Sequence, residues 1–169
     1  VSLALGPCAG MGAGRVAASH FSIMVKELSQ VFVAGPPVAI ALGENVTKEE
    51  LGGWKIQGQN GTVDNVVESE ADAFAAARRF LSYLPPSVHH LPGRLQPTDD
   101  PKRKEESLIS LVPKDGRTPY KPRKIIEAAT DRGSFFEIGH DWGRGIVTGL
   151  ARIDGFAVGI MAGAPFFLD

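Results

Sequence analysis

The segment VSLALGPCAGMGAG at positions 1–14 constrains the chain more than any other: an apolar run suited to a strand breaks into glycines, and a small-residue helical pattern follows. A strand that passes through glycines into a helix fits an α/β unit. It also leaves backbone N–H groups bare at the turn, where a ligand can approach the main chain closely and the helix dipole adds positive potential. That arrangement suits an anion, or an oxygen becoming one.

Composition matters mainly for what it excludes. At 169 residues, 43% hydrophobic and 22% charged, the chain can bury the core of one globular domain or two small ones. A formal net charge of −1 and a pI near 6.5 provide no electrostatic drive toward nucleic acid or an anionic membrane. A single cysteine excludes an internal disulfide framework and a Cys-only metal site, and suits a reducing compartment. No apolar run approaches the roughly 20 residues of a membrane span. The start, VSLAL, reads as the interior of a buried strand with no charged leader. The end, Phe166-Phe167-Leu168-Asp169, is apolar and follows Gly163-Ala164-Pro165. The expectation is therefore an internal piece of a longer protein.

Short β-branched and aromatic runs at 20–26 and 30–34 predict two strands joined by a turn. Gly35-Pro36-Pro37 opens a short helix through Ile40, because proline is tolerated in a first turn. Thr47-Lys48-Glu49-Glu50 has the form of a capping box, and Gly52-Gly53 follows as a stop. Residues 69–84 form the clearest helix. Ala73, Phe74, Ala77, Phe80, Leu81 and Leu84 share its apolar face, and Pro85-Pro86 ends it. Prolines and mixed charges then dominate from 85 to 121, as in an interdomain connector. A helix over 122–131 and strands over 135–138, 145–153 and 156–161 follow. Asp154-Gly155 turns the last two into a hairpin, since both turn positions tolerate positive φ.

GPCAGMGAG after a strand, FVAGPPVA, TKEELGG, the proline-rich connector, FFEIG and IVTGLARIDGFAVGI occur in that order. Together they resemble the carboxyltransferase (beta) subunits of biotin-dependent acyl-CoA carboxylases, the propionyl- and methylcrotonyl-CoA carboxylase group. The resemblance implies an α/β fold of the crotonase (ClpP-like) type, a β-β-α spiral present twice per subunit. Residues 1–84 would be the C-terminal part of the first carboxyltransferase domain, 85–121 the connector, and 122–169 the start of the second.

The implied activity is transfer of a carboxyl group from carboxybiotin, carried on a partner subunit or domain, to the α-carbon (or vinylogous γ-carbon) of an acyl-CoA. Backbone amides would stabilise the thioester enolate, and biotin's ureido nitrogen would serve as base. That chemistry explains why the conspicuous residues are glycines rather than acids or nucleophiles. By position, the oxyanion role falls to the amides of Gly10 and Met11, where the family usually has a second glycine in place of Met11. Ala9, Gly12, Gly35, Pro36, Asp64 and Asn65 are carried over as acyl-CoA-binding positions. Further implications are a homo-oligomer with its active site across a dimer interface, and a biotin carboxylase or biotin carrier partner. No nucleic-acid, membrane or metal partner is implied, and the location would be the bacterial cytoplasm or the mitochondrial matrix.

Each of these positions also has a plainer reading. The glycines after β-type sequence can serve close helix–strand packing, Gly35-Pro36-Pro37 can be a rigid turn, and glycine loops need no ligand. Cys8 has no neighbouring His and reads as an inert core thiol. His89 and His90 cannot share a helix face and have no metal-like spacing to other ligands. Two other functional classes stay open. One is a crotonase-fold acyl-CoA hydratase or isomerase, which adds side-chain carboxylates beside the thioester; the other is a catalytically altered homologue acting as an assembly subunit. Arg15-Val16-Ala17-Ala18 supply no acid after the glycines, which favours carboxyl transfer.

Overall fold

The computed structural model describes residues 1–97, 99–100, 102–115 and 117–165; the apolar end at 166–169 lies outside the described residues. The chain divides into two compact units. The first comprises 1–78 with 141–143, and the second 79–140 with 144–165 among the described residues.

In the first unit, strands β1 (Ser2–Ala4), β3 (Ser22–Val25) and β5 (Asn65–Val67) form a parallel sheet in the order β1-β3-β5. A second parallel pair joins β2 (Pro7–Ala9) to β4 (Gln30–Phe32). The strands expected at 20–26 and 30–34 are present and joined by a turn, yet they enter different sheets. The turn is tight: the buried Ser29 hydroxyl donates to the Val25 carbonyl at 2.7 Å and accepts the Val25 amide at 2.8 Å, and Glu27 takes φ 57°. Parallel neighbours are supplied by strands distant in sequence, which local periodicity cannot register.

Helix α1 (Met11–Ala17) follows β2 directly. Its Ala13 and Val16 pack with Ala4, Met24, Val31 and Val63 in one core, against which Cys8, Trp54 and Val66 lean. Helix α2 (Pro36–Ala41) starts on its prolines. Helix α3 (Lys48–Gly52) carries the expected capping box: Thr47 Oγ1 accepts the Glu50 amide at 3.2 Å while the Glu50 carboxylate accepts the Thr47 amide at 2.9 Å. Gly52 is required by space, because a Cβ there would lie 2.2 Å from the Val31 carbonyl oxygen. A further helical turn, α4 (Trp54–Gln57), follows.

Helix α5 (Glu70–Ser82) matches the expected span, and the division between the units falls within it. Its buried face is displaced from the expected one. Ala73, Phe80 and Tyr83 are buried, whereas Phe74, Leu81 and Leu84 are exposed. The apolar arc on this helix is wider than one neighbour covers, and alanines at 75–77 leave its rotation unmarked in the sequence.

The second unit holds α6 (Leu108–Leu111), α7 (Pro122–Ala129) and an antiparallel sheet of β6 (Phe136–Ile138), β7 (Ile146–Ile153) and β8 (Phe156–Gly163). β7 and β8 pair along their whole length through Asp154 and Gly155, at φ 50° and 78°. Ile126 of α7 packs on Val147 and Ala164 in this unit's core. Arginines fasten the proline-rich stretch to this unit. Arg94 donates to the Asp154 carbonyl at 2.8 Å, and the Arg103 guanidinium donates to the carbonyls of Ala128 and Thr130 at 2.8 Å each.

Candidate functional site

The glycine turn is built by β2, β4 and α1. Parallel pairing of Ala9 with Phe32 continues one step further, where the Gly10 amide donates to the Val33 carbonyl at 2.9 Å. Gly10 then takes φ 54°, ψ −126° and becomes the N-cap of α1. This corrects the expectation for Gly10: its amide is spent on the strand pairing and is not available to an oxyanion. The conformation still demands glycine, since φ is positive while a Cβ would meet nothing closer than the Val33 oxygen at 3.9 Å.

The amides that follow are differently placed. The Gly14 amide donates to the Gly10 carbonyl at 3.0 Å, which opens the helical ladder. Met11, Gly12 and Ala13 therefore occupy the first turn, where N–H groups have no intrahelical acceptor. No acidic side chain lies in that turn, and Met11 is 77% exposed. Gly12 and Gly14 have open space where a Cβ would stand, so close helix–strand packing is not what keeps them glycine.

The other expected positions divide. Ala9 ends β2, next to the turn. Gly35 and Pro36 lie just beyond Val33, as the extended N-cap and first residue of α2, with the Phe32 ring 3.5 Å from a Cβ built on Gly35. Asn65 belongs to the other sheet, and Asp64 directly precedes it. The Asp64 carboxylate accepts the Ser22 amide at 2.7 Å and the Ser22 hydroxyl at 2.8 Å, and Asn65 opens β5 opposite Ile23. These bonds pin β3 to the start of β5, so Asp64 is a strand-register group in this structure. Gly61, at φ 79°, lies under the Trp142 ring, with 2.7 Å from a built Cβ to that ring.

Val33 escapes sequence reasoning. It carries no chemistry in its side chain, and its part in the site comes from a strand pairing that its own neighbours do not announce. Cys8 behaves as an apolar core group: it packs on the first core, its Sγ lies 3.5 Å from the Gly6 carbonyl oxygen, and burial pushes its thiol pKa up. Among the described residues no group of His, Cys, Asp and Glu could hold a metal ion, and no helix is long and apolar enough to cross a membrane.

Residues 1–167 match the family model described as the carboxyl transferase domain. The chain is 37% identical over 167 residues to a propionyl-CoA carboxylase carboxyltransferase subunit from Haloferax mediterranei, covering 98% of the chain and 32% of that protein. It is equally 37% identical over 167 residues to the methylmalonyl-CoA decarboxylase subunit alpha of Veillonella parvula, covering 98% and 33%. Among solved structures, transcarboxylase 12S, a hexamer with hydrolysed methylmalonyl-CoA bound, superposes with a TM-score of 0.90 at 32% identity, covering 98% of this chain and 33% of that one. The chain thus spans about a third of the length of the relatives it matches, and the carboxyltransferase fold expected from the sequence is the fold observed.

Proposed function

The chain belongs to the carboxyl transferase domain family, and on that premise we propose that its protein transfers a carboxyl group from carboxybiotin, held by a partner subunit or domain, to an acyl-CoA. The acceptor is the α-carbon or, in a conjugated thioester, the vinylogous γ-carbon. What carries the reading is that the family match runs straight through a helix start whose Met11 and Gly12 amides have no intrahelical acceptor.

Abstraction of a proton beside a thioester carbonyl puts negative charge on its oxygen. Preorganised backbone donors stabilise that charge without reorganising. Met11 and Gly12 are the donors in this reading, in place of the Gly10 and Met11 pair, and neutral donors suit a carbonyl oxygen that is uncharged in the ground state. Biotin supplies the activated carboxyl group and a basic ureido nitrogen. The chain's own contribution is to hold the thioester oxygen and keep acids away from it.

In the same reading the functional unit is a homo-oligomer with its active site across a dimer interface, working with a biotin carboxylase or biotin carrier partner in the bacterial cytoplasm or mitochondrial matrix. Residues 1–84 end a first carboxyltransferase domain, 85–121 connect, and 122–169 begin a second. The test is the full-length protein with its biotin-carrying partner, ATP, labelled bicarbonate and acyl-CoAs from acetyl to long-chain. Label appearing in the acyl-CoA is expected; no transfer to any of them overturns the proposal. Similarity to a decarboxylase supports a second reading, loss of the carboxyl group from methylmalonyl-CoA. CO2 release from that thioester without net carboxylation would establish it.

A further inference from the structure

Gln57 is a buried amide side chain in the first unit that the proposed reaction leaves without a task. From α4 its Nε2 donates to the Val31 carbonyl of β4 at 2.5 Å, and its Oε1 accepts the Asn60 side-chain amide at 3.1 Å. The Asn60 Oδ1 in turn accepts the Thr62 amide at 2.9 Å, and the Gln57 carbonyl accepts the Val63 amide at 3.2 Å. One side chain therefore ties α4 and the loop at 60–63 to β4.

The bond is made where β4 has no slack. Gly52 of α3 lies against the same Val31 oxygen, 2.2 Å from a built Cβ, and the Val31 and Phe32 side chains are buried. Without the Gln57 donor, a buried carbonyl would lose its partner and β4 would have to shift to find another. Two residues along the same segment, the Val33 carbonyl takes the Gly10 amide at 2.9 Å. Planar peptide units carry a shift at Val31 on to that bond, and so to the glycine turn.

Resting on the carboxyltransferase reading, we infer that Gln57 is a positioning residue for the reaction: it fixes the Val31 carbonyl, β4 follows, and β4 fixes the glycine turn. It touches no substrate. Its loss therefore acts on the fit of the turn to the transition state, and so on kcat, more than on the binding of acyl-CoA.

The experiment compares Gln57→Met and Gln57→His in the full-length protein with its biotin-carrying partner, using the acyl-CoA that the wild type carboxylates fastest. Methionine keeps the length of the side chain and removes the donor, whereas histidine returns an N–H at similar reach. In Gln57→Met, kcat falls about tenfold while KM stays within about twofold, a misplacement effect rather than a binding one. The Gly10 amide exchanges at least about tenfold faster, while the Lys26 amide, bonded to the Val67 carbonyl at 2.9 Å in the other sheet, keeps its rate. Gln57→His recovers most of both losses. Should Gln57→Met fail to assemble, Asn60→Ala, which removes the partner of the Gln57 Oε1 at an exposed position, shows the same split at smaller amplitude. An assembled variant with wild-type kcat, with kcat and KM changed alike, or with Gly10 and Lys26 exchange raised alike overturns the inference and leaves the carboxyltransferase reading standing. A wild type that carboxylates no acyl-CoA overturns both.

Discussion

The Gly10 amide donates to the Val33 carbonyl at 2.9 Å, and this bond decides how much of the glycine turn a ligand can use. It extends the β2–β4 pairing by one residue and fixes Gly10 at a positive φ, so that α1 starts at Met11. The first unpaired donor therefore comes one residue later than the glycine pattern suggests.

Replacing Met11 by proline removes one N–H along with an exposed thioether side chain. Proline is favoured at the first helical position, where the amide has no intrahelical acceptor, and the preceding residue is a glycine free of the usual steric limits. Met11→Pro is expected to fold and assemble while kcat falls about 100-fold, the effect of losing one oxyanion donor. Acyl-CoA affinity should change much less. Steady-state kinetics on the assembled enzyme checks this, and equal losses in kcat and affinity would reduce Met11 to an ordinary contact.

The capping box makes the start of α3 acid-sensitive. The Glu50 carboxyl is held below its ordinary value of 4.5 by the Thr47 amide first and by the Thr47 hydroxyl second. Since the folded pKa is the lower one, this stabilisation is complete above the unfolded value and is lost as pH falls through the folded value. The protection of the α3 amides, taken as their exchange relative to the intrinsic rate at each pH, should therefore fall below about pH 4.5 in the wild type. In Glu50→Gln that pH dependence should flatten.

Much of this was legible in the residues. The α3 box, the proline starts of α2 and α7 and the Asp154-Gly155 turn are written in local chemistry, and each appears where the pattern places it. β2 and β5 carry no strand signal in their own residues. Pro7-Cys8-Ala9 is too short to alternate, and Asn65-Val66-Val67 follows a glycine-rich loop; both strands exist because distant partners supply their hydrogen bonds. The same cause hid the acceptor for Gly10. Asp64 comes from the family resemblance alone, and its bonds to Ser22 are visible only once the sheet is formed.

Arg152 is a buried cation held by carbonyls rather than by a carboxylate. At 7% exposure it donates to the Ser82 carbonyl at 2.6 Å and the Gly155 carbonyl at 2.9 Å, and its guanidinium lies 5.0 Å from the centre of the Tyr83 ring. It thereby covers the C-terminal end of α5, where a positive charge is favoured. Arg152→Ala strands the Ser82 carbonyl and leaves the Gly155 carbonyl with the Leu95 amide alone; it should cost about 1–3 kcal/mol, read as a lower denaturation midpoint of the full-length protein at unchanged slope. Arg152→Lys should recover only part, because an ammonium cannot span two carbonyls with a planar fork.

The hairpin turn of the second unit also anchors the proline-rich stretch, so one methyl group there should be felt at both. Gly155 has φ 78°, and a Cβ on it would lie 1.8 Å from the Leu95 carbonyl oxygen. That oxygen is backbone and cannot swing aside, because the Leu95 amide donates to the Gly155 carbonyl at 3.1 Å and Arg94 is bound to Asp154. Gly155→Ala must therefore either strain the turn or release residues 94–95, and release is the cheaper course since only a few hydrogen bonds hold them. The Leu95 amide should then exchange at least about tenfold faster while the β7–β8 ladder keeps most of its protection. Gly159→Ala is the control: it lies in β8 with open space around a built Cβ, and should leave Leu95 exchange as it was. Equal exchange rates in the two variants would mean that the close approach of Leu95 to the turn does not hold in solution.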